Sequence, residues 1–302
     1  MAKTFFRKHK GRGSYDLFSS YTYYLPDVGG IFVLFILFLL GALLGNLLIL
    51  ALGLVSTEFV TVYGTVISYP VMFIPPLLYA SALSHRNEYF DKGYALDSNN
   101  FGRLGGFRMG LIVSIATLAL AFMTDGLSKV LPQAPEWFEE MMKAIMDAPT
   151  WLTLISVSVF APLFEDWLCR GLVLRGLLQK KSPTFAICVS AAFFAVLHMN
   201  PWQAVPAFIL GLLFGYVYYR TGSLKLTMLM HCVNNTFAVI LSKVPKFADA
   251  DNFIDVMEPW VFACIFIASA AFTWGAVVTL RNIPLKSEDA RSNCDEAESL
   301  TL

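Results

Sequence analysis

The run Trp151–Leu178, WLTLISVSVFAPLFEDWLCRGLVLRGLL, decides the fold. It is longer than the roughly 20 apolar residues that a helix needs to cross a bilayer core. It nevertheless carries Glu165, Asp166 and Arg170 well inside it. An ionisable side chain at the centre of a membrane helix costs about 2.5–3.5 kcal/mol on insertion scales, so such residues are rare and mostly face a bundle interior. This stretch therefore reads as a membrane span with a polar inner face.

Working outward, apolar stretches recur at 28–55, 59–83, 104–124, 184–200, 203–219, 224–242 and 260–280. Together with 151–178 they predict an all-α, polytopic membrane protein of about eight transmembrane helices around an intramembrane polar cavity. The composition agrees. The chain is 57% hydrophobic and only 15% charged, against roughly a quarter charged in soluble domains. The first span has no Lys or Arg and is too long for a signal-peptide core, so it reads as a retained anchor. The formal net charge is zero, which leaves no basic surplus for nucleic acid. Cys169, Cys188, Cys232, Cys264 and Cys294 show no paired spacing and read as small hydrophobes rather than a disulfide framework.

Five regions follow: an N-terminal tail at 1–27, N-terminal membrane helices with an amphipathic segment at 28–150, a polar-lined core at 151–242, a last transmembrane helix at 243–281 and a disordered polar tail at 282–302. With both termini cytoplasmic, 17 of the 22 Lys and Arg fall on the cytoplasmic side, as the positive-inside rule requires. In the segment 134–149, Trp137, Phe138, Met141, Met142, Ile145 and Met146 share one helical face, while Glu136, Glu139, Glu140, Lys143 and Asp147 take the other. It is too short and too charged to span, and it reads as an interfacial helix, with a lid over a site as the functional alternative. Gly211 and Gly215 form a GxxxG pair suited to close helix packing.

Three spans carry the chemistry. Asp166 and Arg170 are at i and i+4, stacked on one helix face, so Asp166 is expected to be neutralised by Arg170. Glu165 points about 100° away and is left free as a general base. Phe194 and His198 share a face of the span 184–200. His231 and Asn235 lie one turn apart, where an imidazole and an amide can donate to one oxygen, as in an oxyanion hole. Measured from the Lys/Arg-rich ends, Glu165, His198, Asn235 and His231 sit at depths of roughly 20, 21, 16 and 10 Å, close enough to converge.

The ordered set Glu165-Asp166-xxx-Arg170, Phe194-xxx-His198, His231-xxx-Asn235 resembles the EExxxR, FxxxH and HxxxN motifs of the CPBP family of intramembrane proteases, also called the Abi or CaaX-protease-and-bacteriocin-processing family. The resemblance covers about 150 to 240. One position departs from it: the family usually has Glu where this chain has Asp166. The resemblance implies an intramembrane endopeptidase, of the metallo- or glutamate type, in which Glu165 and His198 activate a water and His231 and Asn235 stabilise the tetrahedral oxyanion, with Asp166, Arg170 and Phe194 in support. The expected partners are membrane lipid and a peptide or membrane-protein substrate, a lipidated peptide included. Glu165, His198 and His231 also make a two-His, one-carboxylate set compatible with zinc. No HExxH spacing forces a metal, and the expected cofactor is either none or a divalent metal. Two other classes fit a membrane chain with buried polar groups: a non-catalytic scaffold or bacteriocin-immunity-type protein, and a proton or ion transporter.

Overall fold

The computed structural model describes residues 19–90, 93–248 and 252–285. The expectations for residues 1–18 and 286–302, Cys294 included, lie outside the described residues. The framework is helical: α1 Val28–Gly53, α2 Thr57–Asn87, α3 Gly105–Asp125, α4 Glu136–Asp147, α5 Thr150–Leu178, α6 Pro183–Leu197, α7 Pro201–Thr221, α8 Leu224–Ser242 and α9 Pro259–Arg281. Seven of these are long and apolar enough to cross a membrane. Thus the chain is an all-α, multi-pass membrane protein. The stretch expected as the fifth of eight spans is shorter than the others. Helix α6 has 15 residues, which reach about 22 Å against a hydrocarbon core of about 30 Å.

Local chemistry sets the helix ends. Asp27 accepts from Gly30 N at 2.9 Å, Ser56 from Phe59 N at 3.1 Å and Ser223 from Leu226 N at 3.3 Å. Each such N-cap contributes about 1 kcal/mol. Ser182 caps α6, with Pro183 in the first turn. Between α6 and α7, Asn200 accepts from Gln203 N at 2.9 Å while its own amide reaches Gln203 Oε1 at 2.7 Å. That reciprocal cap starts α7 sharply. Met199 has φ +53°, a left-handed conformation that is uncommon outside glycine. The chain therefore breaks hard directly after His198. At the other end of α7, Gly222 takes φ +66° and its N–H returns to Tyr218 O at 2.7 Å, a left-handed C-cap.

Helix α5 is the hub. It packs on α2, α6, α7 and α8, and two of its stretches, Leu154–Phe160 and Trp167–Leu174, are wound as π-helix. Such widened turns are frequent at functional sites. In a bilayer, close packing of small residues substitutes for hydrophobic drive. At the α1–α2 crossing, a Cβ on Gly41 would lie 2.0 Å from the Met72 carbonyl oxygen, and on α7 a Cβ on Gly211 would sit 3.1 Å from Ala191 of α6.

Two arginines tie the helices at the Lys/Arg-rich end. Arg175 is fully buried and donates to the carbonyls of Gly171, Thr22, Tyr21, Tyr24 and Tyr94. The segment before α1 is thereby fastened to α5. Arg220 donates to Leu280 O, Arg281 O and Ile283 O, which joins α7 to the end of α9. The described cysteines, Cys169, Cys188, Cys232 and Cys264, are free.

Candidate active site

Glu165 and Asp166 lie between the two π-helical stretches of α5, where the widened winding alters the 3.6-residue register. Asp166 and Arg170 are both fully buried, and Arg170 Nη1 donates to Asp166 Oδ1 at 2.9 Å. The i, i+4 pairing read from the spacing is present. Asp166 does more than neutralise, because its Oδ2 lies 3.0 Å from His231 Nδ1. Arg170 also reaches Gly211 O at 3.4 Å and lies over the rings of Phe194 and Phe214, 4.3 and 5.1 Å from their centroids. These cation–π contacts help to hold a charge that has left water.

Glu165 is 8% exposed. Its Oε1 accepts the hydroxyl of Tyr69 from α2. Its Oε2 is buried without a hydrogen-bond partner and lies 3.9 Å from His231 Nε2. That separation is too long for a direct hydrogen bond. His231 therefore stands between two carboxylates, with Nδ1 toward Asp166 and Nε2 toward Glu165.

Phe194 stands between the two imidazoles. Its ring meets both His198 and His231 edge-on, with centroids 5.3 Å apart in each case. His198 Nδ1 contacts the Phe194 carbonyl at 3.0 Å, which leaves Nε2 as the outward-facing nitrogen. His198 is the C-cap of α6, so it belongs to a helix end and not to the interior of a span. Asn235 donates to Val157 O in the π-helical part of α5 at 2.6 Å and accepts from Asn234 at 3.1 Å.

A cavity of about 200 Å³ is lined by Phe194, His198, Trp202, Gln203, His231 and Asn235, among others. Glu165 is not among its lining residues, and His231 belongs to both the cavity and the carboxylate cluster. Four of the expected residues, Glu165, Asp166, Arg170 and His231, thus meet directly, while His198 and Asn235 join them across the cavity through Phe194 and His231. Helix α4 abuts the cavity edge. Phe138 packs on Trp202 at 5.0 Å, Trp202 Nε1 donates to Pro132 O at 2.7 Å, and Gln203 Nε2 reaches Met142 Sδ at 3.6 Å. Tyr69 and Phe214 escaped the sequence reading. Tyr69 lies on another helix 96 positions before Glu165, and no local spacing relates the two.

The metal expectation meets a geometric test. No group of three or more His, Cys, Asp or Glu side chains among the described residues is assembled to hold a metal ion. His231 Nδ1 is engaged by Asp166 and His198 Nδ1 faces the Phe194 carbonyl. Glu165, His198 and His231 are not drawn together as a ligand set, and no step below passes through a metal.

Residues 147–237 match the family model described as "Rce1-like: Type II CAAX prenyl endopeptidase Rce1-like". This segment of the chain is similar to that family. It contains every residue of the cluster and cavity named above except Tyr69 and the α4 contacts. A Bacillus subtilis (strain 168) protein named "Putative membrane peptidase YdiL" is 22% identical over 151 residues, 48% of this chain. The alignment spans 61% of that relative's length. No solved structure matches the chain significantly.

Proposed function

We propose that this Rce1-like membrane protein is an intramembrane endopeptidase that hydrolyses a peptide bond with water activated by Glu165. The observation that carries this reading is the position of His231. It is oriented by Asp166 on one side, faces Glu165 Oε2 at 3.9 Å on the other and lines the cavity. A buried carboxylate, an imidazole held in one orientation and an adjoining cavity are the parts that general-base hydrolysis needs.

In this reading a water bridges Glu165 Oε2 and His231 Nε2. Glu165 takes its proton, and the water oxygen attacks the carbonyl carbon of a peptide seated in the cavity. The developing oxyanion is met by the second N–H of Asn235, while His198, whose Nδ1–H donates to the Phe194 carbonyl, offers its Nε2 lone pair to the cavity as a proton acceptor. Collapse breaks the C–N bond, and the departing amine takes the proton from Glu165. Asp166, Arg170 and Phe194 hold this arrangement.

The substrate in this reading is a peptide or membrane-protein segment. A lipidated C-terminal peptide is the first class to test, since the matched family is described as prenyl endopeptidases. In this reading both termini are cytoplasmic, which the Lys/Arg distribution supports, and the α4 side of the cavity faces the opposite side of the membrane. The test is paired N-terminal and C-terminal peptide profiling of membranes expressing wild type or Glu165→Ala at matched levels. New termini present only with wild type support the reading and name the substrate. Identical profiles, with both proteins folded and abundant, sink it.

A further inference from the structure

We infer that Tyr69 of α2 is a positioning residue for Glu165, so that the working site extends beyond the Rce1-like segment; the inference rests on the endopeptidase reading. Three observations carry it. The Tyr69 hydroxyl donates to Glu165 Oε1 across 96 positions of sequence. The other carboxylate oxygen, Oε2, is buried without a partner and faces His231. The Tyr69 ring is itself fixed: it packs on Phe73 at 5.8 Å, and Phe73, fully buried, stacks on Phe164 at 5.2 Å with the planes 15° apart. Phe164 immediately precedes Glu165, so this ladder of rings joins α2 to the turn of α5 that carries the base.

The physical consequence is a choice between two equivalent oxygens. A free carboxylate rotates and presents either oxygen to a water or to the imidazole. With Oε1 held by a phenol, only Oε2 faces His231 Nε2. The water-activating oxygen is then fixed before substrate arrives, which is the kind of preorganisation that catalytic geometry requires. The same bond satisfies one lone-pair site of a carboxylate that has left water.

The experiment uses full-length protein in lipid nanodiscs and, as probe, a synthetic peptide spanning a wild-type-dependent cleavage found by terminal profiling. Tyr69→Phe keeps the ring and removes only the hydroxyl. The expected result is a kcat about 10- to 100-fold lower, the range for losing a hydrogen bond to a charged group, with KM little changed and a lower melting temperature, because Glu165 Oε1 is left buried without a donor. Incorporating p-aminophenylalanine at position 69 restores a donor at similar reach and recovers part of the rate. In a Glu165→Asp background, whose shorter carboxylate no longer meets the phenol, Tyr69→Phe adds no further loss. An unchanged kcat in Tyr69→Phe overturns the assignment. So does a loss that persists in full in the Glu165→Asp background, because it would then act through general packing. A wild type that cleaves alongside either result leaves the endopeptidase reading standing. A wild type that cleaves nothing in membranes removes that reading, and the assignment with it.

Discussion

The Asp166 carboxylate is 3.0 Å from His231 Nδ1 through one oxygen and 2.9 Å from Arg170 through the other. Asp166 is therefore a hinge between the arginine that neutralises it and the imidazole that it orients. Asp166→Asn removes the charge while keeping the volume, and it leaves Arg170 buried and uncompensated. Breaking a buried pair in this way costs about 3–5 kcal/mol. The variant is expected to melt at lower temperature and to lose cleavage, as read by tryptophan-fluorescence melting and the peptide assay on one preparation. An unchanged melting profile would show that the Asp166–Arg170 pair does not hold α5.

Glu165→Gln is nearly isosteric and can still accept from Tyr69. It should keep the fold and lower kcat about 10²- to 10⁴-fold, the usual contribution of a general base. Retained turnover in a folded Glu165→Gln protein would remove Glu165 from the chemistry.

Asn235 has two separable jobs, a structural bond to Val157 O and donation to an oxyanion. Asn235→Ala leaves that carbonyl unpaired, at a cost of about 1–3 kcal/mol. It should also lower kcat by about 10²- to 10³-fold, as for loss of one oxyanion donor. Asn234→Ala deletes the contact to Asn235 Oδ1 and trims the cavity wall, but it leaves the Asn235 amide on Val157 and should have a much smaller effect on rate. Equal effects of the two substitutions on kcat would argue against oxyanion donation by Asn235.

Helix α4 contacts both Trp202 and Gln203 at the cavity edge. If it must move for substrate to enter, a disulfide between Met142→Cys and Gln203→Cys, in a background without the native cysteines, should block cleavage when oxidised and restore it on reduction. Cleavage that is equal in both redox states would mean that substrate enters elsewhere.

Much of this was legible along the chain because the information is local. The apolar stretches announced membrane helices, whose starts the structure fixes through bonds from Asp27, Ser56, Asn200 and Ser223 side chains to N–H groups three residues on. The i, i+4 spacing announced the Asp166–Arg170 pair and the packing of Phe194 beside His198. The break after His198 was harder to see, because hydrophobicity continues to Met199 and only the reciprocal Asn200–Gln203 cap ends the span early. Arg175 reads in sequence as one more loop-proximal positive charge, yet it is fully buried among five carbonyls contributed mainly by segments 70 or more positions earlier.

By itself, then, the sequence determined the helical membrane class and which polar residues share a helix face, since each follows from apolar length or from spacing within one or two turns. Tertiary structure alone decided that Asp166 serves His231 as well as Arg170, that Tyr69 holds Glu165, and that α4 rests on Trp202. These contacts join helices far apart in the chain, and whether they form depends on how closely α2, α5, α7 and α8 approach. Small residues such as Gly41 and Gly211 permit that approach, but no periodicity encodes which polar atoms will then meet.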